Sequence, residues 1–110
     1  PVRVFVYLDG AEEGALELLG TRAPTERLRL MGVKLYADGA LGSRGALLLR
    51  DYSDQPGHRG LAVTDADHMR WVMRTLGAAG FQVCTHAIGD AGNRLVLDLY
   101  EDVLGELKPL

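Results

Sequence analysis

Apolar residues fall along this chain in short dense runs, each closed by turn residues. "VRVFVYL" (2–8) is almost continuous, the pattern of a strand buried on both faces. Asp9 and Gly10 then turn the chain. "AEEGALELLG" (11–20) reads as a short helix with Ala15, Leu18 and Leu19 inward and Gly20 at its C-terminal cap. A polar connector, "TRAPTERLR" (21–29), leads to a second strand, "GVKLYADG" (32–39), which again ends in Asp-Gly.

Residues 40–63, "ALGSRGALLLRDYSDQPGHRGLAV", break the rhythm with glycines and turn formers. Loops of this length are uncommon unless functional. Within it, "ALLL" (46–49) has the composition of a small strand or hairpin. The pattern then turns helical in "TDADHMRWVMRTLGAAG" (64–80). Thr64 or Asp65 can cap this helix, acidic residues in its first turn suit the helix dipole, and Gly80 ends it. Met69, Val72, Met73 and Leu76 form its i, i+3, i+4, i+7 stripe. A third strand, "FQVCTHAI" (81–88), passes through Gly89-Asp90 into a long helix with Leu95, Leu99, Val103 and Leu107 on one face.

Strand, helix, strand, loop, helix, strand, helix is the order of an α/β fold, with a parallel sheet and helical crossovers in about three consecutive βα units. In such folds chemistry gathers at the carboxyl ends of the strands. Asp9, Asp38 and the Gly89-Asp90 pair all fall there.

Composition narrows the field. The chain's 110 residues suffice for one domain, 1–110, and its net charge of −3 offers no basic footprint for nucleic acid. No apolar run is long enough for a membrane span. Cys84 is the only cysteine, which excludes an intrachain disulfide and a cysteine-cluster metal site and suits a reducing, cytoplasmic setting. The chain has no initiator Met and opens inside a strand, so we expect a piece of something longer.

Alternation sorts the strand side chains into two faces. Lys34 shares a face with Tyr36, and His86 with Gln82, Cys84 and Ile88. If the two strands are neighbours, Lys34 and His86 look into the same interior. A buried strand lysine loses charge easily and can then act as a nucleophile or take up carbon dioxide as a carbamate. A neutral His86 would add a nitrogen ligand. On spacing alone Lys34 is more often a strand-end lysine snorkelling to water, and His86 more often a hydrogen-bonded core residue. Asp38 and Asp90 read as turn formers or caps beside glycine, Asp90 chiefly as the cap of the last helix. His58 reads as an exposed loop residue, His68 as solvated, and Cys84 as a small buried hydrophobe.

Taken together, "VKLYADGALGSRGALLLRDYSDQPGHRG" and "HAIGDAGNRLVLDLYE", with the spacing between them, resemble the family-3 branch of the amidohydrolase superfamily. That branch includes N-substituted formamide deformylase-like and other metal-dependent hydrolases, and the resemblance covers about residues 30–104. It implies a partial (β/α)8 TIM-type barrel, about strands three to five, with divalent metal, usually zinc, at the strand ends. The family's metal-bridging lysine maps onto Lys34 and its fifth-strand histidine ligand onto His86. Asp38, Ser43 and Arg44 lie where the family shapes its substrate pocket. The implied reaction is hydrolysis of an amide or related C–N bond in a small molecule by metal-activated water.

Three departures accompany the resemblance. None of His58, His68 and His86 makes the first-strand His-x-His pair of the family. Its sixth-strand histidine and eighth-strand aspartate would fall beyond this chain, and Gly45 stands where a threonine is expected. A closed barrel takes at least about 200 residues. The expectation is therefore part of a metal site, inactive in isolation, on a chain whose uncovered surfaces drive homo-oligomerisation. The alternative is a small non-catalytic α/β binding or interaction module.

Overall fold

A computed structural model describes residues 1–21 and 23–107; Arg22 of the polar connector and the last three residues of the 1–110 domain lie outside them. The elements run β1 (Val4–Asp9), α1 (Ala15–Thr21), β2 (Leu28–Tyr36), α2 (Ala66–Ala78), β3 (Gln82–His86) and α3 (Asp90–Glu106). All three strands are parallel, in the order β1-β2-β3. These are the three consecutive βα units expected of the chain.

The core lies on one face of the sheet. Val33 and Leu35 of β2 are fully buried there, against the Met69, Val72, Met73 and Leu76 stripe of α2 and Val96, Leu99 and Val103 of α3. Burying one such side chain contributes about 1.5–3 kcal/mol. Of the two expected caps, Thr64 and Asp65, it is Asp65 that caps α2, its carboxylate accepting from the N–H groups of Asp67 and His68. Gly80, at φ +82°, follows the C-terminus of that helix. On α3, Val96 takes the fully buried place expected of Leu95, which is only half-buried.

Several local expectations change. β1 is largely exposed rather than buried on both faces, because it is an edge strand with one face uncovered. Leu18 of α1 is 46% exposed and turns away from the sheet, and the helix runs through Gly20 instead of ending there. β2 begins at Leu28, inside the supposed polar connector. At its start the pairing register shifts: Val6 pairs with Leu30 but Tyr7 with Gly32, leaving Met31 as an extra residue. This bulge reverses the alternation, so Leu30 and Val33 both reach the core although three positions apart.

"ALLL" forms no strand; its residues belong to an irregular loop whose isolated bridge is Tyr52–Gln55. The loop nonetheless carries hydrogen bonds of its own. Leu48 N–H donates to the Arg59 carbonyl, Tyr52 N–H to that of His58, and the Tyr52 hydroxyl to that of Ala46. Backbone groups that would pair in a sheet are satisfied within the loop, which lets it stay ordered without regular structure. Among the described residues no helix is long and apolar enough to cross a membrane.

Candidate functional site

Helices cover one face of the sheet, and Lys34 and His86 stand on the other. Register pairs Lys34 with Asp9 on β1 and Cys84 on β3, and Tyr36 with His86. Tyr7, Asp9, Lys34, Tyr36 and Cys84 line a shared hollow on this open face. Tyr36 links the two candidate ligands: the Lys34 ammonium lies 5.2 Å from its ring centre and the His86 ring 5.6 Å away, tilted by 42°. Alternation brought Lys34, Tyr36 and His86 to one face because the strands are neighbours. Cys84 is half-buried on this open face, across from Lys34, rather than a core hydrophobe.

Asp38 sits just beyond β2 with its side chain fully buried. Its Oδ2 accepts from the N–H groups of Leu47 and Gly89, each at 2.8 Å, and its Oδ1 from that of Ile88 at 3.0 Å. One carboxylate thus joins the long loop to the β3–α3 turn. His86 Nε2 lies 3.6 Å from Oδ1. Burial alone would raise the Asp38 pKa, but the N–H groups of Ile88, Leu47 and Gly89, with His86 nearby, outweigh it and hold the carboxyl below its ordinary value.

The turn that receives this carboxylate is shaped around it. A Cβ on Gly92 would stand 2.6 Å from Asp38 Oδ2, and one on Gly89 only 1.8 Å from the Leu47 carbonyl oxygen. Asn93 secures the turn from within, its amide donating to the carbonyls of Ala87, Ile88 and Gly89. Asp90 is not the cap expected of it; Gly89 occupies the cap position, and Asp90 Oδ1 accepts from Leu49 N–H and Ala91 N–H. The "HAIGDAGN" stretch therefore also docks the loop, which its spacing gave no sign of.

Ser43 and Arg44 lie on the loop and bond within it. The Ser43 hydroxyl donates to the Ala40 carbonyl, and the Arg44 guanidinium pairs with Asp54 at 2.8 Å. Arg44 has φ 58°, a left-handed conformation fixed by its N–H to Leu41 and its carbonyl at 2.8 Å from His58 Nε2. His58, expected to be exposed, is thus partly buried and stacked on Tyr52. Gly45 packs against Gly39, where an added Cβ would lie 3.2 Å from the Gly39 Cα. His68 is also tied down, its Nε2 lying 3.1 Å from the Gly10 carbonyl. Asp9, opposite Lys34, lines the same hollow, a place its position at a strand exit allowed for.

Among the described residues no three His, Cys, Asp or Glu side chains converge as a metal-binding group. Lys34 and His86 share the open face, Lys34 opposite Asp9 and Cys84, His86 opposite Tyr36.

Known proteins share this arrangement of sequence and fold. The amidohydrolase family matches residues 1–109. Protein LONG AFTER FAR-RED 3 of Arabidopsis thaliana is 43% identical over 79 residues, 72% of this chain and 14% of its own. YtcJ of Bacillus subtilis strain 168, itself a candidate amidohydrolase, is 41% identical over 69 residues, 63% of this chain and 13% of its own. Two crystal structures of uncharacterised metal-dependent hydrolases superpose with a TM-score of 0.80 each. The Pyrococcus horikoshii OT3 protein is 37% identical, over 91% of this chain and 21% of that one. The Pyrococcus furiosus protein is 38% identical, over 92% and 22%. The chain thus spans about one-seventh of the length of these curated relatives and about one-fifth of these solved structures. With the sequence motifs, the three parallel βα units and both structural neighbours in agreement, the chain belongs to the amidohydrolase family, in its family-3 branch.

Proposed function

We propose that this chain carries one part of a divalent-metal centre, in a hydrolase that cleaves an amide or related C–N bond of a small molecule. The observation that supports this most is the placement of Lys34 and His86 on one uncovered sheet face, near the carboxyl ends of adjacent strands, in a chain of this family. In this reading β1, β2 and β3 are consecutive strands of a (β/α)8 barrel whose interior is that face, and residues 1–110 belong to its catalytic domain.

The two side chains suit the chemistry. Neutral His86 offers an imidazole lone pair, and Lys34, carboxylated at Nζ, offers a carboxylate on a long arm. Zinc matches this nitrogen and oxygen donor set, the remaining ligands coming from elsewhere in the protein. When bound, the metal supplies a water acidic enough to attack at neutral pH. Ser43 and Arg44 would present the loop to substrate, and Asp38 would act through the loop's position. A single cysteine agrees with a cytoplasmic setting. The 110-residue chain by itself, with two ligands, would not hydrolyse substrate.

Metal analysis of the full-length protein tests this reading. We expect stoichiometric divalent metal, with Lys34→Ala and His86→Ala each losing most of it while keeping the wild-type circular dichroism spectrum. Full-length protein that carries no metal and takes up none on addition of zinc would sink the hydrolase reading and favour a binding module.

A further inference from the structure

Asp38 stands at the strand end where metal ligation is proposed, yet both of its oxygens are engaged by backbone donors. Oδ2 is taken by Leu47 and Gly89, Oδ1 by Ile88, and the carboxylate is sealed from solvent. Among the described residues, the side chain it is paired with is that of His86, with Nε2 at 3.6 Å from Oδ1. We propose that Asp38 is a positioning residue for His86. Its buried carboxylate locks the long loop to the β3–α3 turn and holds the imidazole with its proton on Nε2, leaving the Nδ1 lone pair available. This inference rests on the reading of His86 as a metal ligand.

Three features support it. The ring is held from two sides, by the Tyr36 ring at 5.6 Å and by the carboxylate. At 3.6 Å the Asp38–His86 contact is electrostatic rather than a hydrogen bond, so it acts on where the ring proton sits more than on packing. A carboxylate favours an N–H aimed at it, and outer carboxylates of this kind orient histidine ligands in metal sites. The carboxylate itself cannot drift, because three backbone donors from two segments fix it and Gly92 leaves room for nothing larger beside Oδ2. Any disturbance of the loop at Leu47 is thereby felt at His86.

Two variants of the full-length protein separate positioning from simple clamping. Asp38→Asn keeps the shape, removes the charge and turns one acceptor oxygen into a donor. Gly92→Ala keeps every charge and displaces Oδ2 with a methyl group. Leu41→Ala, at an exposed loop position, is the control. The readouts are the side-chain nitrogen-15 shifts of His86 in histidine-labelled protein, and zinc affinity by competition with a chelator. We expect wild-type His86 protonated on Nε2. Both variants should give a mixed tautomer and weaken zinc by about tenfold or more, and Leu41→Ala should do neither. If Asp38→Asn does not fold, Gly92→Ala carries the test.

A wild-type His86 protonated on Nδ1 overturns the proposal. So do variants that keep wild-type ring shifts and zinc affinity, for Asp38 is then only a clamp. Wild-type protein without zinc affinity, whose Nε2–H tautomer is still lost in the variants, overturns the metal reading and upholds the positioning role.

Discussion

Asp38 and Asp90 look alike in the sequence, each an aspartate beside a glycine at a strand exit, but burial separates them. Asp38 is 1% exposed and neutralises three backbone donors, whereas Asp90 is exposed and bonds Leu49 and its own helix. Asp38→Ala leaves three N–H groups without a partner and should cost about 3–5 kcal/mol in urea unfolding; Asp90→Ala should cost about 1 kcal/mol. Equal costs would contradict this account. The depressed Asp38 pKa also sets a pH dependence. Its folded-state value lies below the ordinary 3.8, so the unfolded chain binds the proton more readily. The stabilisation is therefore fully present above the ordinary value and is lost as pH falls through the folded one. Wild-type stability should drop over that acid range, and Asp38→Asn should show a shallower fall when unfolding is followed against pH.

At the scale of elements, the β3–α3 turn and the long loop form one unit. The loop has neither helix nor strand, and its outer limbs are held by Arg44–Asp54 and Arg59–Asp51, exposed pairs that contribute little individually. What anchors it is the buried seam at Asp38, Leu47, Gly89 and Gly92, where the Gly92 N–H also donates to the Leu47 carbonyl. Gly89→Ala forces a methyl group against a backbone oxygen and should destabilise by several kcal/mol, on the order of 3. Gly20→Ala meets nothing within 4 Å in α1 and should stabilise by about 0.5 kcal/mol. A Gly89→Ala melt at or above the wild-type temperature would show that the seam is not tight.

The whole molecule is one-sided. Helices seal one face of the sheet, while Phe5, Tyr7 and Tyr36 stay 56%, 37% and 44% exposed. β1 and β3 are edges of the three-stranded sheet, and Trp71, Leu97 and Leu104 add exposed apolar surface. Open strand edges and apolar patches favour pairing with another chain. We predict that the 110-residue chain self-associates with rising concentration. Size-exclusion chromatography with light scattering checks this, and a monomer mass at every concentration would refute it.

Much of this molecule was legible in its residues. The Met69–Leu76 stripe and the alternation of Lys34 with Tyr36 depend on neighbours a few positions away, so periodicity alone determined them, while the cap of α2 stayed open between Thr64 and Asp65. The alternation also carried the chain to the correct α/β class, and its two long motifs to the correct family. Other features depend on contacts between distant segments, which no local pattern encodes. The bulge at Met31 follows from β1 pairing. The order of the long loop and the burial of Asp38 follow from donors contributed by Leu47, Ile88 and Gly89, nine to fifty-one positions away. Sequence by itself determined which residues share a face along the unbroken stretches of strand, Lys34 with Tyr36 among them. Only the tertiary structure decided that one of the strand-exit aspartates is a buried clamp beside His86, because a carboxylate can be sealed from water only where distant backbone donors converge on it.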